Sequence, residues 1–312
     1  MAKTHGAASR KIAFFLLRIS ALPWFIREFL QRHRVTIIVY HRLDPETADR
    51  HFSALRKRYN IISLADYMDY RTDTAKSLPS KPLIVTFDDG HKSNYALKAI
   101  LEKHAIRATS FLCSGVVGTH RQFWFDTEMT EGMRQSLKLV PDRERLDTLA
   151  ALGFSETAEG ATRQAMSVAE IEEMKPMVDF QAHTVYHPLL PQCSSARAAV
   201  EISDSKTGLE KKFGLSIYAL AYPNGDYTAR EIAATEASGY RCALTLDPGF
   251  NSRTTPAFQM KRICISDDAS IDELLVKASG LWGFLKSLVR RRPAMPASRP
   301  SGYRSPGLRS VS

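Results

Sequence analysis

Cysteine is scarce and scattered in this chain. Cys113, Cys193, Cys242 and Cys264 share no C-x-x-C spacing, which excludes a zinc ribbon and favours reduced, mostly buried thiols over a disulfide framework. Uninterrupted apolar runs of about eighteen residues are missing as well, so no conventional membrane span is expected. Residues 11–30 come nearest, but Arg18 interrupts them and no small-residue cleavage site is evident. They read as an amphipathic helix rather than a signal peptide, lying either in a membrane interface or against the outside of the fold. Acidic residues are nearly absent from both ends. Residues 1–35 carry seven Lys/Arg against one Asp/Glu and residues 286–312 carry seven against none, so the net charge of +10 leaves the body, 36–285, at about −3. Basicity confined to the ends, with no recognition motif, predicts no nucleic-acid partner and instead a peripheral contact of both termini with acidic lipid. Together with the reduced-looking thiols this predicts a cytoplasmic protein, peripheral to the inner membrane. No internal repeat is present, and strand-forming patterns are few between 120 and 170.

What is present alternates strand and helix. Apolar, β-branched runs at Thr36–Tyr40, Leu83–Val85, Ala108–Leu112, Met177–Ala182, Ile217–Tyr222, Arg241–Leu246 and Gln259–Ile265 read as seven strands. Helical spacing separates them: through Phe52, Leu55 and Tyr59, over Ser93–His104, from Ser194 to Phe213 with Gly214 as C-cap, over Thr228–Ser238, and over Ser270–Leu288. Ser167 and Glu170 form a capping-box pattern ahead of another helix. Such alternation predicts an α/β fold with a parallel sheet, and reactive residues at the strand tips favour a distorted (β/α) barrel over an open sheet. The predicted organisation is a basic helix over 1–34, a barrel over 35–285 with an excursion at 120–170, and a Pro-, Ser- and Arg-rich disordered tail over 286–312.

Thr86-Phe87-Asp88-Asp89-Gly90 ends a buried strand with two adjacent carboxylates. Neighbouring carboxylates repel, so the pair implies a bound cation or a shared proton, unless it is an Asp-Gly turn or a helix N-cap. His183 and His187 follow a later strand, and Pro188 keeps His187 out of helical geometry. Two neutral imidazoles and a carboxylate make a sensible ligand set for a catalytic divalent ion, while histidines at this spacing also cap turns or satisfy cores.

Thr86–Gly90, His183/His187 and Ala221-Tyr222-Pro223-Asn224-Gly225 occur in the order and approximate spacing of the polysaccharide deacetylases, the NodB-homology group or carbohydrate esterase family 4, which the chain resembles over about Val35–Ile265. Strand-end Tyr40-His41-Arg42 and the Trp124/Asp126 region share in that likeness. The resemblance implies a metal-dependent hydrolase removing N-acetyl groups from an amino-sugar polysaccharide, oligosaccharide or glycan precursor. Asp88 would then be the general base, and Asp89, His183 and His187 the ligands of a divalent ion, zinc by preference. The Asn224 backbone N–H would stabilise the oxyanion, and Trp124, Pro223 and Tyr222 would contact the N-acetylated glycan. Trp124 and Phe125 are the aromatics that could stack on the apolar faces of its sugar rings, or they serve packing. Two departures stand out. Many members place an arginine where this chain has Ala221, and Arg262 is a candidate to supply that charge. Many also use a late histidine as general acid, whereas here none follows His187, the matching residues are Ile263-Cys264-Ile265, and His41 is the candidate. These departures motivate an alternative, a catalytically weakened barrel serving as a glycan-binding or scaffolding subunit.

Overall fold

A computed structural model describes residues 2–289, with side chains described from 9 to 286. The predicted tail beyond 289 lies outside the described residues. Eight strands run in chain order: β1 (Thr36–Tyr40), β2 (Asn60–Ile61), β3 (Pro82–Phe87), β4 (Ala108–Leu112), β5 (Val178–Ala182), β6 (Ala219–Ala221), β7 (Cys242–Leu244) and β8 (Ile263–Cys264). Seven form a parallel path in the order β7-β6-β5-β4-β3-β1-β8, and the short β2 pairs beside the start of β3. A parallel bridge from Leu244 to Met260, just upstream of β8, brings the two ends of the path together. The result is the distorted (β/α) barrel expected from the alternation of elements.

Both faces of the sheet are apolar, as a barrel wrapped in helices requires. Side chains alternate nonetheless. Ile37, Ile84, Phe111, Ala219, Cys242 and Leu244 fill the interior with Met260. Their neighbours Ile38, Val85, Leu112, Leu220 and Ala243 face the surrounding helices, packing with Phe52, Leu101 and Ile202. This period of two decides the site, because Ile84, Thr86 and Asp88 share one face of β3 and its extension.

Several predicted elements end earlier than their apolar patterns. The runs 241–246 and 259–265 shrink to β7 and β8 because the loop between them satisfies its backbone otherwise. The Asn251 amide, for example, takes both the N–H and the carbonyl of Lys261. Helix 270–288 is two helices, Ile271–Ala278 and Leu281–Val289, split at Gly280, whose φ is +78°. A Cβ there would meet the Phe250 ring at 2.2 Å, so only glycine fits. The helix expected over Ser93–His104 begins as a 3-10 turn, Lys92–Leu97, before its α-helical part, Lys98–Lys103. The N-terminal helix breaks at Ala21, which adopts φ +62° between Ala2–Ile19 and a second stretch, Leu22–Leu30, that ends as a π-helix. The Ser167/Glu170 capping box is formed, and Cys113, Cys193 and Cys242 are buried free thiols while Cys264 is exposed.

Candidate active site

Every sequence-nominated ligand leaves the carboxyl end of a strand. Asp88 and Asp89 follow β3, His183 follows β5, His41 follows β1, and Asn224 stands just beyond β6. Asp88 continues the inward face of β3. Asp89 would point outward, but its φ of +72° turns its carboxylate back over the mouth. Gly90 permits the turn, since a Cβ at its φ of +75° would lie 2.7 Å from Leu112.

Asp89 Oδ1 lies 3.5 Å from His183 Nε2 and 3.6 Å from His187 Nε2. It is buried and accepts no hydrogen bond. Ligands about 2.0–2.1 Å from one tetrahedral ion stand roughly 3.3–3.5 Å apart, and the three ligand atoms, with both Asp89–histidine separations close to that and all within 4.8 Å of one another, can close on one divalent cation. The His183 tautomer is fixed as well. Its Nδ1 lies 2.8 Å from the Ala221 carbonyl, which can only accept, so Nδ1 carries the proton and Nε2 offers a lone pair to the centre. Burial, helped by nearby His183, pushes His187 well below the ordinary imidazole range, keeping it neutral too. Burial raises Asp89.

Asp88 is treated differently. Burial alone would raise it, but Arg262 and then His183 outweigh burial and hold it down to about 2. Arg262 precedes β8 and reaches up the interior, fully buried, to place Nη1 and Nη2 at 2.7 and 2.9 Å from the two Asp88 oxygens. Its Nε donates to the Thr245 carbonyl, and the guanidinium lies over the Phe111 ring. One acid is thus held ionised by a bidentate partner, while its neighbour faces two imidazoles.

The histidine loop is clamped from beneath. Thr184 and His187 both adopt positive φ, at +66° and +58°, a conformation that persists only where its surroundings enforce it. Glu201, buried in helix Ser195–Phe213, accepts the N–H groups of Val185 and Tyr186 at 2.8 and 2.9 Å. Burial pushes this carboxyl up to about 7 against the opposing charge of Arg197. The Thr184 hydroxyl accepts the His187 N–H, and the Trp124 indole donates to the His187 carbonyl at 2.8 Å. Glu201 escaped the sequence reading, yet it carried a signal. It is a charged residue on the apolar stripe of Ala198, Ile202, Ser205 and Leu209. Outer-shell partners of metal ligands typically contribute about 10–100-fold to metal affinity, so Glu201→Ala is expected to weaken zinc binding by that factor in a competition titration against a chromophoric chelator.

A cavity of about 600 Å³ opens above these groups, lined by His41, Phe125, Asn224 and Leu246, a size suited to a small-molecule portion of a ligand. The 120–170 excursion is less remote than its sequence implied. Glu131, Arg134, Gln135 and Lys138 form part of the mouth, and Lys138 Nζ donates to Asn224 Oδ1 at 3.1 Å.

Two nominated glycan contacts need correction, and a third is narrowed. Trp124 lines the cavity, but at 2% exposed and packed among Leu137, Leu149 and Leu189 under the Arg145 guanidinium it presents only an edge there. Tyr222 is fully buried and stacked on Tyr227. Pro223 is buried in the turn that Gly225 and Asp226 close by donating to Tyr222 and Pro223. Their apolar bulk went into packing. Phe125, half-buried and edge-on to His187 at 5.0 Å, lines the cavity with more of its ring free than Trp124.

A parallel barrel that gathers paired acids and two neutral imidazoles at its carboxyl mouth has the donors to hold a divalent ion beside a second carboxylate. Comparison with known proteins makes the class definite. The polysaccharide deacetylase family model matches residues 75–243, just over half of the chain. The chain belongs to that family. Among curated proteins, YxkH of Bacillus subtilis (strain 168) is 24% identical over 196 residues, which are 62% of this chain and 55% of that protein. The chain therefore matches about half the length of this relative. Among solved structures, the Streptococcus pyogenes deacetylase PplD in complex with acetate has a TM-score of 0.59 at 22% identity, covering 79% of this chain and 99% of that one. IcaB from Ammonifex degensii has a TM-score of 0.57 at 20% identity, covering 80% and 98%. At these identities the two structures share the fold.

Proposed function

We propose that the protein hydrolyses the acetamide of an N-acetylated amino-sugar glycan, as polysaccharide, oligosaccharide or precursor, and releases acetate with the help of a zinc ion held by Asp89, His183 and His187. What supports this most is the unsatisfied Asp89 oxygen, 3.5 and 3.6 Å from two imidazole nitrogens and next to a second carboxylate. A divalent ion bound there supplies Lewis acidity to the acetamide carbonyl and to the attacking water. Asp88, kept ionised by Arg262, accepts the proton of that water as its oxygen adds to the carbonyl carbon. The Asn224 N–H, unused by the bonds that close its turn, donates to the oxygen that gains negative charge. When the C–N bond breaks, the amine takes up a proton and acetate departs. His41, the mouth-lining imidazole outside the ligand trio, delivers that proton. Phe125 packs against the apolar face of the pyranose.

The absence of a histidine after His187 favours a second reading, a glycan-binding barrel without turnover. Acetate release from chitooligosaccharides and poly-N-acetylglucosamine, with metal removed and restored, separates the two. Hydrolysis is expected, lost on chelation and regained with zinc. Tight glycan binding without acetate release from either substrate would transfer the case to the second reading.

A further inference from the structure

Nine of the fourteen exposed large apolar side chains among the described residues fall between Ile12 and Leu30. Their arrangement explains why this stretch reads equally as a packed helix and as an interfacial one. On helix Ala2–Ile19, Phe14 and Leu17 face inward against Val276, Leu281 and Trp282. Arg10 and Arg18 tie the same helix to Glu273 and Asp272. Ile12, Phe15, Leu16 and Ile19, spaced as one helical stripe, face outward at 50–61% exposure. Beyond the break at Ala21, the Phe29 ring gathers Phe25 and Trp24 at 4.9 and 5.8 Å into an aromatic cluster, and all three are about half exposed or more. Ion pairs and the shared apolar cluster hold this surface against the barrel.

We propose that this surface is a docking face for an anionic lipid bilayer. Scattered exposed apolar residues need no explanation, but nine of them within residues 12–30 do. Charge selects the occupant. Lys11 on the first helix, and Arg32 and Arg34 in the turn that follows Leu30, are exposed without an ion-pair partner among the described residues, and residues 1–35 carry seven basic side chains against one acid. Two copies of so basic a surface repel each other, whereas acidic headgroups attract it at about 1 kcal/mol per Lys or Arg. The location also leaves catalysis free. Lys81 N–H, just before β3, donates to the Arg32 carbonyl, which puts Leu22–Leu30 near the amino end of the barrel, opposite the mouth.

Flotation of the full chain with phosphatidylcholine vesicles, with and without phosphatidylglycerol, tests the assignment. Binding is expected only with the anionic lipid and should fall as salt rises. Phe15→Ser/Leu16→Ser/Phe29→Ser is expected to abolish flotation. Lys11→Gln/Arg32→Gln/Arg34→Gln should weaken it on the order of a hundredfold, at about 1 kcal/mol per charge removed. Circular-dichroism melting of both variants controls for folding, because every altered side chain is exposed. Absence of wild-type flotation, flotation retained by the serine variant, or a concentration-dependent dimer dispersed by those same serines would each overturn the proposal, the last assigning the face to a second copy.

Discussion

Asp88→Asn is expected to lower acetate release by about 10²–10⁴-fold, the usual contribution of a positioned general base, while zinc affinity stays near wild type. The two halves of that expectation come from different distances. Asp89 Oδ1 stands 3.5 and 3.6 Å from the two Nε2 atoms, whereas the nearest His183–Asp88 approach is 3.8 Å and both Asp88 oxygens are already taken by Arg262. Asparagine preserves the shape of Asp88 but has no lone pair basic enough to take a proton at neutral pH. His183→Ala should produce the opposite division. It removes one of three ligands, so zinc and activity are lost together, and Asp88 remains paired with Arg262. Metal content by atomic absorption beside acetate release separates the two variants. If Asp88→Asn lost its zinc, or turned over normally, the assignment of base and ligand would be wrong.

The barrel was legible in the sequence because each strand is an apolar run bounded by turn residues, and the alternation with helices allows few topologies. Two of the strands, 241–246 and 259–265, were legible only as apolar runs, since nothing in their composition shows that Asn251 would satisfy the intervening backbone. The acids and histidines were legible for a different reason. Each motif alone also reads as a turn, a cap or a core histidine, and it was their order and spacing, resembling those of the polysaccharide deacetylases, that gave them roles. Their supports were not. Glu201 lies 14 residues from His187 in sequence and acts through the N–H groups of Val185 and Tyr186, a contact that only the fold creates. Aromatic residues misled most. Tyr222 follows β6 next to the site but is buried outside the cavity, and Trp124 meets the cavity only at an edge, because its large ring is needed first for packing under the strained histidine loop.

Arg262→Ala is expected to destabilise the protein by about 3–5 kcal/mol, the usual result of stranding one member of a buried ion pair. Burial would then be opposed on Asp88 chiefly by His183, with the largest opposing charge gone. In the intact protein Asp88 is held at about 2, below its ordinary 3.8. The pair's contribution to stability is therefore complete above about pH 4 and disappears as pH falls through about 2. Without Arg262 the carboxyl moves upward, so the acid limb of the kcat/KM profile should shift to higher pH, a displacement that a purely structural arginine would not cause. Arg262→Lys should recover part of the stability but little of the bidentate grip, since one ammonium cannot match two oxygens with a planar fork. A double-mutant cycle settles whether the two residues act as a unit. Asp88→Asn and Arg262→Leu each leave a buried group without its partner, whereas the combined variant leaves no unpaired charge, so its loss of stability should be smaller than the sum of the two single losses. Additive losses, with an unmoved acid limb in Arg262→Ala, would mean that the guanidinium braces Thr245 and Phe111 and does nothing for the base.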